Sequence, residues 1–174
     1  VTTVSMPWQL TTRENTSLSL IKDASVQAQT TQERNQEARK LYQLGVQQYN
    51  QGQFREALKT FEQVLGIVRA IGKRQAEEAT LAYIGKVYNS LGQYAQALKY
   101  HQQALTLGKQ VGDKAGEGTT LNHIGQVYDN LDQYTQALKY FQQALTIGKQ
   151  VGNKPMEGTT RNNIGKVYNS LGQY

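Results

Sequence analysis

The two histidines, His101 and His123, are the first side chains to test for chemistry, because imidazole binds metal ions and transfers protons near neutral pH. A zinc site needs about four ligands, and this 174-residue sequence contains no cysteine and no third histidine to complete one. The other ligands would have to be carboxylates, which the sequence does not bring near the histidines. We therefore expect no metal site and no cofactor.

Catalytic arrangements are also missing from the pattern. The acidic residues are scattered, no glycine-rich loop follows a strand pattern, and no Ser-His-Asp or paired-carboxylate spacing converges on one place. The absence of cysteine excludes disulfides and thiolate nucleophiles, and it leaves the redox compartment undetermined. The sequence predicts a protein that is not an enzyme.

The charge of the chain is +6, and its positive excess lies in residues 38–77. Such a cluster can attract nucleic acid, an anionic membrane surface or an acidic peptide, although we expect mainly a solvated helix face. No apolar run approaches the roughly 18 to 20 residues that a membrane-spanning helix needs, so we expect no membrane span. The basic residues are Arg39, Lys40, Arg55, Lys59, Arg69, Lys73 and Arg74.

The elements that must position these side chains are copies of one unit. A glycine recurs at a forty-residue interval, as Gly45, Gly85, Gly125 and Gly165. Residues 164–174 repeat residues 84–94 without a change. Periods of twenty to fifty residues are typical of stacked repeats, so the sequence predicts an array of one supersecondary unit.

Each unit is predicted to be a helical hairpin. Apolar residues such as Leu81 and Ile84 follow the i, i+3, i+4, i+7 spacing of a helix with one buried stripe, and Gly92 ends this first helix. A second helix should end near Val111, with Gly112 supplying the left-handed residue after the last turn. The caps predicted for the helices that follow are Asp113 and Asn153.

A glycine inside every first helix needs a packing reason, because glycine costs about 1 kcal/mol relative to alanine in a helix interior. We expect the second helix to approach closely there. The small residues predicted to face the glycines are Ala57, Ala97 and Ala137. The aromatic side chains predicted to fill the wider gaps include Phe61, His101 and Phe141.

The repeat divides the chain into five segments. Because Val1 is not methionine, we expect the sequence to begin inside a longer chain. A helix is predicted to start at Thr30 with a capping box to Glu33, and the residues before it should be packed on something to be ordered. The segments are a non-repeat tail (1–29), a first unit with an extended first helix (30–77), a second unit (78–117), a third unit (118–157) and the first helix of a truncated fourth unit (158–174).

These residues resemble the tetratricopeptide repeat, whose signature pairs an apolar residue, Leu-Gly and Tyr on one helix with Ala, Phe and Ala on the next. The matching residues are Leu81, Ile84, Gly85, Tyr88, Tyr94, Ala97, His101 and Ala104. The forty-residue period is similar to the variant found in LGN/Pins and kinesin light chain adaptors, and the glutamine-rich copies are similar to cyanobacterial arrays, some of which precede a CHAT domain. The resemblance implies a right-handed α-solenoid of antiparallel helix pairs that binds proteins.

Two positions depart from the family pattern. Gln48 stands in the column of Tyr88, so we expect looser packing or a rotated helix in the first unit. Arg161 stands in the column of Leu81 and Leu121. We do not expect the carboxylate-clamp type of the family, which grips the carboxylates of a peptide C-terminus, because Tyr42, Val46 and Thr119 occupy positions that would need to carry cations. Tyr42 still belongs to the groove that the resemblance implies.

The resemblance implies a concave groove lined by the first helices, and we expect it to bind an extended peptide or partner segment. Asparagine offers both donors and an acceptor, so Asn89, Asn122, Asn162 and Asn169 could pair with the peptide backbone as a ladder. On this reading, alanine at Asn122, Asn162 and Asn169 leaves stability unchanged and abolishes binding. The alternative is that they are solvated residues copied with the repeat. The predicted groove residues are Tyr42, Tyr49, Tyr83, Lys86, Asn89, Asn122, His123, Gln126, Asp129, Asn130, Asn162, Asn163, Lys166 and Asn169.

Two other functions stay open at this point. The first is self-assembly, because Ile164, Val167, Tyr168 and Leu171 form an apolar face that lacks a following helix in this sequence. The second is nucleic-acid binding through the basic first unit, which is disfavoured because the groove lacks clustered arginines and stacking aromatics. The identity of a protein partner does not follow from the sequence.

Overall fold

The computed structural model describes the backbone of residues 8–172 and, within them, the side chains of residue 22 and residues 24–172. This part of the chain is all α-helical, and none of its helices is both long and apolar enough to cross a bilayer. The helices are α1 (Trp8–Asn50), α2 (Phe54–Ala70), α3 (Arg74–Ser90), α4 (Tyr94–Val111), α5 (Lys114–Asn130), α6 (Tyr134–Gln150) and α7 (Lys154–Ser170).

The helices stack as antiparallel hairpins, each packed on the next along the chain. The first helices also contact one another, α3 with α5 and α5 with α7, whereas α2, α4 and α6 pack on the first helices. The row formed by α1, α3, α5 and α7 is therefore the tighter side of the array, which we call the inner surface. This arrangement confirms the prediction of an all-α solenoid.

The turns and caps follow the sequence signals. Gly112 has a φ of 73°, the left-handed conformation predicted for it. A different turn joins the two helices of each unit, and it contains Gly92 in the second unit and Asp132 in the third. Asp132 keeps a left-handed φ of 56°, and its carboxylate accepts a hydrogen bond from the Tyr134 hydroxyl at 2.9 Å. An aspartate tolerates this region because its short polar side chain bonds locally.

The predicted helix caps are confirmed. The backbone N–H of Gly116 donates to the Asp113 carboxylate at 2.8 Å, and that of Met156 donates to the Asn153 side chain at 3.1 Å. Each bond satisfies one of the N–H groups that the first turn of a helix leaves without a partner.

The glycines inside the first helices do mark close approaches. A Cβ added to Gly125 would lie 2.6 Å from the Phe141 ring, and one added to Gly85 would lie 2.6 Å from the His101 ring. The nearest atoms belong to the aromatic ring of the second helix, so the ring rather than a facing alanine makes glycine necessary. At Gly165 no atom lies within 4 Å of an added Cβ.

The predicted helix start at Thr30 is wrong. Helix α1 already runs from Trp8, and the Thr30 hydroxyl donates to the Gln27 carbonyl at 2.9 Å instead of capping a helix. Glu33 accepts from the Gln29 side chain at 3.5 Å, one turn back. The side chains of residues 24–30 are exposed, so the expectation that this segment packs on something is also wrong for these residues. Thr30 bonds within a continuing helix, as threonine does in helix interiors.

The first unit keeps its packing with a different pair of residues. In the second unit Tyr88 stacks on Tyr100 with ring centroids 5.3 Å apart, and the third unit repeats this stack. In the first unit both positions change, and the Thr60 hydroxyl donates to the Gln48 side chain at 2.8 Å. A hydrogen bond therefore replaces the aromatic pair, and Gln48 has a specific partner.

A buried glutamate begins each later first helix, a feature that sequence reasoning missed. The side chains are Glu77, Glu117 and Glu157, with exposed fractions of 7%, 3% and 2%. Their cationic partners are Arg69 at 2.8 Å, Lys114 at 2.9 Å and Lys154 at 2.8 Å. Arg161 adds a second contact to Glu157 at 3.1 Å, which explains an arginine in a leucine column. The hydrogen bond from Lys154 lowers the pKa of Glu157.

Candidate functional site

Three tyrosines form one aromatic cluster on the inner surface of α1 and α3. The ring of Tyr83 meets that of Tyr42 edge to face, with centroids 5.4 Å apart, and that of Tyr49 at 6.5 Å. All three side chains are half-buried. Burial, together with the neighbouring Tyr83 and Glu78, raises the pKa of Tyr42. We call Tyr42, Tyr49 and Tyr83 the tyrosine cluster.

Lys86 extends over the tyrosine cluster. Its Nζ lies 4.5 Å from the ring centroid of Tyr49 and 5.3 Å from that of Tyr83, which are cation–π distances. Burial lowers the pKa of Lys86. No carboxylate within residues 24–172 forms an ion pair with this ammonium group. The cluster therefore presents a partly desolvated positive charge framed by aromatic rings.

Side-chain bridges join each first helix to the next. The amide of Asn130 donates to Asn89 at 3.0 Å, and the amide of Asn163 donates to Asn122 at 3.1 Å. In the first pair of units, the Tyr49 hydroxyl lies 2.9 Å from the Ser90 hydroxyl. We call these contacts the inter-unit bridges.

The bridge between Asn122 and Asn163 changes the predicted ladder. These side chains are only 6% and 7% exposed, so neither is available to a peptide. Removing the Asn122 amide would leave the Asn163 amide buried without its partner, which costs free energy. The expectation that alanine at Asn122 leaves stability unchanged is therefore wrong. Asn162 and Asn169 are exposed.

His123 is half-buried and lies against His101. The two ring centroids are 5.4 Å apart, and His101 is fully buried in the aromatic core position predicted for it. Burial, with a contribution from Lys86, lowers the pKa of His123 to about 4. Burial and the neighbouring His123 lower the pKa of His101 well below its usual value. Neither ring nitrogen of His101 has a hydrogen-bond partner in the described structure.

The remaining predicted groove residues lie along α5 and α7. Gln126 and Asp129 are half-buried, whereas Asn130 and Lys166 are exposed. Burial raises the pKa of Asp129, while Lys166 opposes that shift. The inner surface thus has an aromatic, cationic half on α1 and α3 and an amide-rich half on α5 and α7.

The apolar face on α7 is smaller than predicted. Val167 is fully buried and packs in a cluster with Ala137 and Phe141, and it is therefore not part of an open face. Tyr168 and Leu171 are 42% and 41% exposed. Self-association through this surface stays a prediction, as does the low affinity for nucleic acid.

A further concave site was not predicted from the sequence. A pocket of about 660 Å³ lies between α1, α2 and the start of α3, and its lining includes Arg39, Tyr42 and Lys73. The signal was present in the sequence, because the column of Ala38 carries Glu78 at the second junction and the column of Ala76 carries Met156 at the third. Within the described residues, no three histidine, aspartate or glutamate side chains come close enough to hold a metal ion.

Comparisons with known structures agree with this geometry. Aspartyl phosphate phosphatase F from Bacillus subtilis aligns with a TM-score of 0.77 and 19% identity over 80% of this chain and 37% of that protein. The nearly identical TPR-like repeats of a protein described as a kinesin light chain from Podospora anserina align with a TM-score of 0.66 and 17% identity, over 79% of this chain and 68% of that one.

A third similar structure is more alike in sequence. The STAND ATPase with a tetratricopeptide repeat sensor from Pyrococcus horikoshii aligns with a TM-score of 0.67 and 26% identity, over 74% of this chain and 20% of that protein. The chain therefore spans well under half of the phosphatase and of the ATPase. A search of curated protein sequences finds no match.

The family model of the tetratricopeptide repeat matches three overlapping segments of the sequence, residues 36–110, 75–150 and 116–174. Together these segments span residues 36–174, which include α2 to α7 and the last part of α1. The chain belongs to the tetratricopeptide repeat family.

Proposed function

We propose that this protein is a non-enzymatic interaction scaffold that binds an extended partner segment along its inner surface. The observation that carries the proposal is Lys86, a half-buried ammonium group above Tyr49 and Tyr83 with no carboxylate partner within residues 24–172. Taking a charge out of water costs free energy unless an opposite charge compensates it. A carboxylate on the partner would supply that compensation.

The surroundings of Lys86 support contact with a peptide. Tyrosine is enriched in binding hot spots because it offers a large apolar area together with a hydroxyl group. The exposed amides on α5 and α7, Asn130, Asn162 and Asn169, could each accept and donate hydrogen bonds to a peptide backbone. On this proposal the tyrosine cluster and Lys86 anchor one end of the segment, and the amides hold the rest.

The similarity to solved structures is consistent with such a role. The repeats of the Pyrococcus horikoshii ATPase are described as a sensor, which implies that they recognise another molecule. We infer that the present array also recognises a partner.

A displayed library of random peptides tests the proposal. Peptides selected by the wild-type protein should bind Lys86→Glu about tenfold more weakly or worse, because the loss of a charge-assisted contact costs about 1.5–3 kcal/mol. Lys139→Glu is the matched control, since Lys139 is an exposed lysine on α6, away from the inner surface. Circular dichroism establishes that both variants are folded. Equal affinities for the two variants would remove the inner surface from the binding site.

A further inference from the structure

The pocket at the junction of the first and second units has an apolar floor. Ala38, Val64 and Val68 form this floor, and all three side chains are buried. The volume of about 660 Å³ falls in the range of ligand pockets, roughly 300–1,000 Å³. The corresponding spaces at the two later junctions each contain a long side chain.

At the second junction a glutamate occupies the equivalent space. Glu78 stands forty residues after Ala38 and is 4% exposed. A Cβ added to Gly116 would lie 2.9 Å from Glu78 Oε1, and one added to Gly108 would lie 3.7 Å from the same atom. Burial and the nearby Asp113 raise the pKa of Glu78 to about 7.

At the third junction a methionine occupies the space from the opposite helix. Met156 is eighty residues after Ala76 and is 8% exposed. Its Sδ would lie 2.8 Å from a Cβ added to Gly118 and 3.4 Å from one added to Gly148. The first junction has alanine both at the Glu78 position and at the Met156 position. Val68, which stands where Gly108 and Gly148 stand in the later units, forms part of the floor, and the space above it stays open.

The rim of the open pocket is positively charged. Arg39, Lys73 and Arg74 line it, and no carboxylate is among its described lining residues. Arg74 is partly engaged by Glu77 at 3.4 Å, whereas Arg39 and Lys73 form no ion pair within residues 24–172. An acidic ligand therefore matches the charge of the rim, and an apolar group matches the floor.

We propose that this pocket binds an acidic segment of a partner protein through an unbranched or aliphatic side chain that lies next to a carboxylate. Met156 and Glu78 show which side-chain shapes fill the equivalent space in this fold. The inference rests on the proposed function, because the pocket shares Tyr42 with the inner surface and would hold one end of the same segment. Arg39 and Lys73 would pair with the carboxylate.

The test fills the pocket with the side chain that the third junction already uses. Ala76→Met should close the gap while keeping the fold, and Ala95→Met is the matched control on the exposed surface of α4. Some peptides from the displayed random library should bind wild type and Ala95→Met equally well but bind Ala76→Met about tenfold more weakly or worse. We expect these peptides to carry methionine or leucine beside aspartate or glutamate. Arg39→Glu with Lys73→Glu should weaken the same peptides.

Two outcomes would overturn the inference. Ala76→Met could retain every peptide with wild-type affinity, or the peptides that it loses could be neutral or basic. If Ala76→Met retains the peptides while Lys86→Glu loses them, the pocket fails and the inner surface stands. If both variants retain them, the proposed function fails as well. Circular dichroism and urea denaturation of Ala76→Met confirm that any loss of binding comes from a folded protein.

Discussion

Replacing Gly125 by alanine measures how tightly the aromatic ring presses on the first helix. Alanine improves helix propensity by about 1 kcal/mol at any interior helical glycine. At Gly125 the new Cβ would lie 2.6 Å from Phe141, about 1 Å inside the usual carbon–carbon contact of roughly 3.5–4.0 Å. Phe141 is fully buried and has little room to move, so overpacking should cost about 1–3 kcal/mol.

Gly66 supplies the control for this substitution. It lies inside α2, and no atom is within 4 Å of an added Cβ. Gly66→Ala should therefore gain the full propensity term of about 1 kcal/mol, and the difference between the two variants should equal the overpacking cost of about 1–3 kcal/mol. Urea denaturation followed by circular dichroism measures both. Equal stabilities for Gly125→Ala and Gly66→Ala would refute the close ring contact.

Two further predictions concern the inter-unit bridges and the histidine pair. Asn122→Ala and Asn163→Ala should each lower the free energy of unfolding, measured by urea denaturation, by about 1–3 kcal/mol, and the double variant should lose less than their sum. Asn162→Ala removes an exposed side chain and should change this free energy by no more than about 0.5 kcal/mol. Strict additivity of the two single variants would argue against the buried amide pair. The folded-state pKa values of His101 and His123 lie below the unfolded value of 6.5, so the stability that their neutral forms contribute is fully present above pH 6.5. The contribution of His123 is lost as the pH falls from 6.5 through about 4, and that of His101 is also lost below pH 6.5. His101→Phe should raise the melting temperature and flatten its acid dependence, and an unchanged pH profile would contradict this.

The sequence was sufficient to predict the units and their turns. Gly92, Gly112 and the caps Asp113 and Asn153 act through local backbone geometry, which depends on few neighbours, and the forty-residue period supplied the stacking. The start of α1 was wrong because Thr30 is compatible both with a cap and with a helix interior. Only the residues before it decide between the two.

The candidate site was harder to predict, because a helical period does not show how far a side chain lies from the next unit. Asn122 and Asn162 stand in one column, yet Asn122 is buried against Asn163 while Asn162 is exposed. The pocket depends on the combination of Ala38 with Ala76 across two helices. Two small residues become a cavity only when the register between units is known.

The inter-unit bridges are hydrogen bonds that join the first helices to one another along one edge of the array. They link neighbouring first helices directly, whereas the second helices pack on the first helices. The bonded pairs are Tyr49 with Ser90, Asn89 with Asn130, and Asn122 with Asn163. We expect the solenoid to resist stretching along the edge formed by the first helices and to deform more easily along the edge formed by the second helices. A partner that engages two units at once would then change the pitch of the coil by working against a few hydrogen bonds.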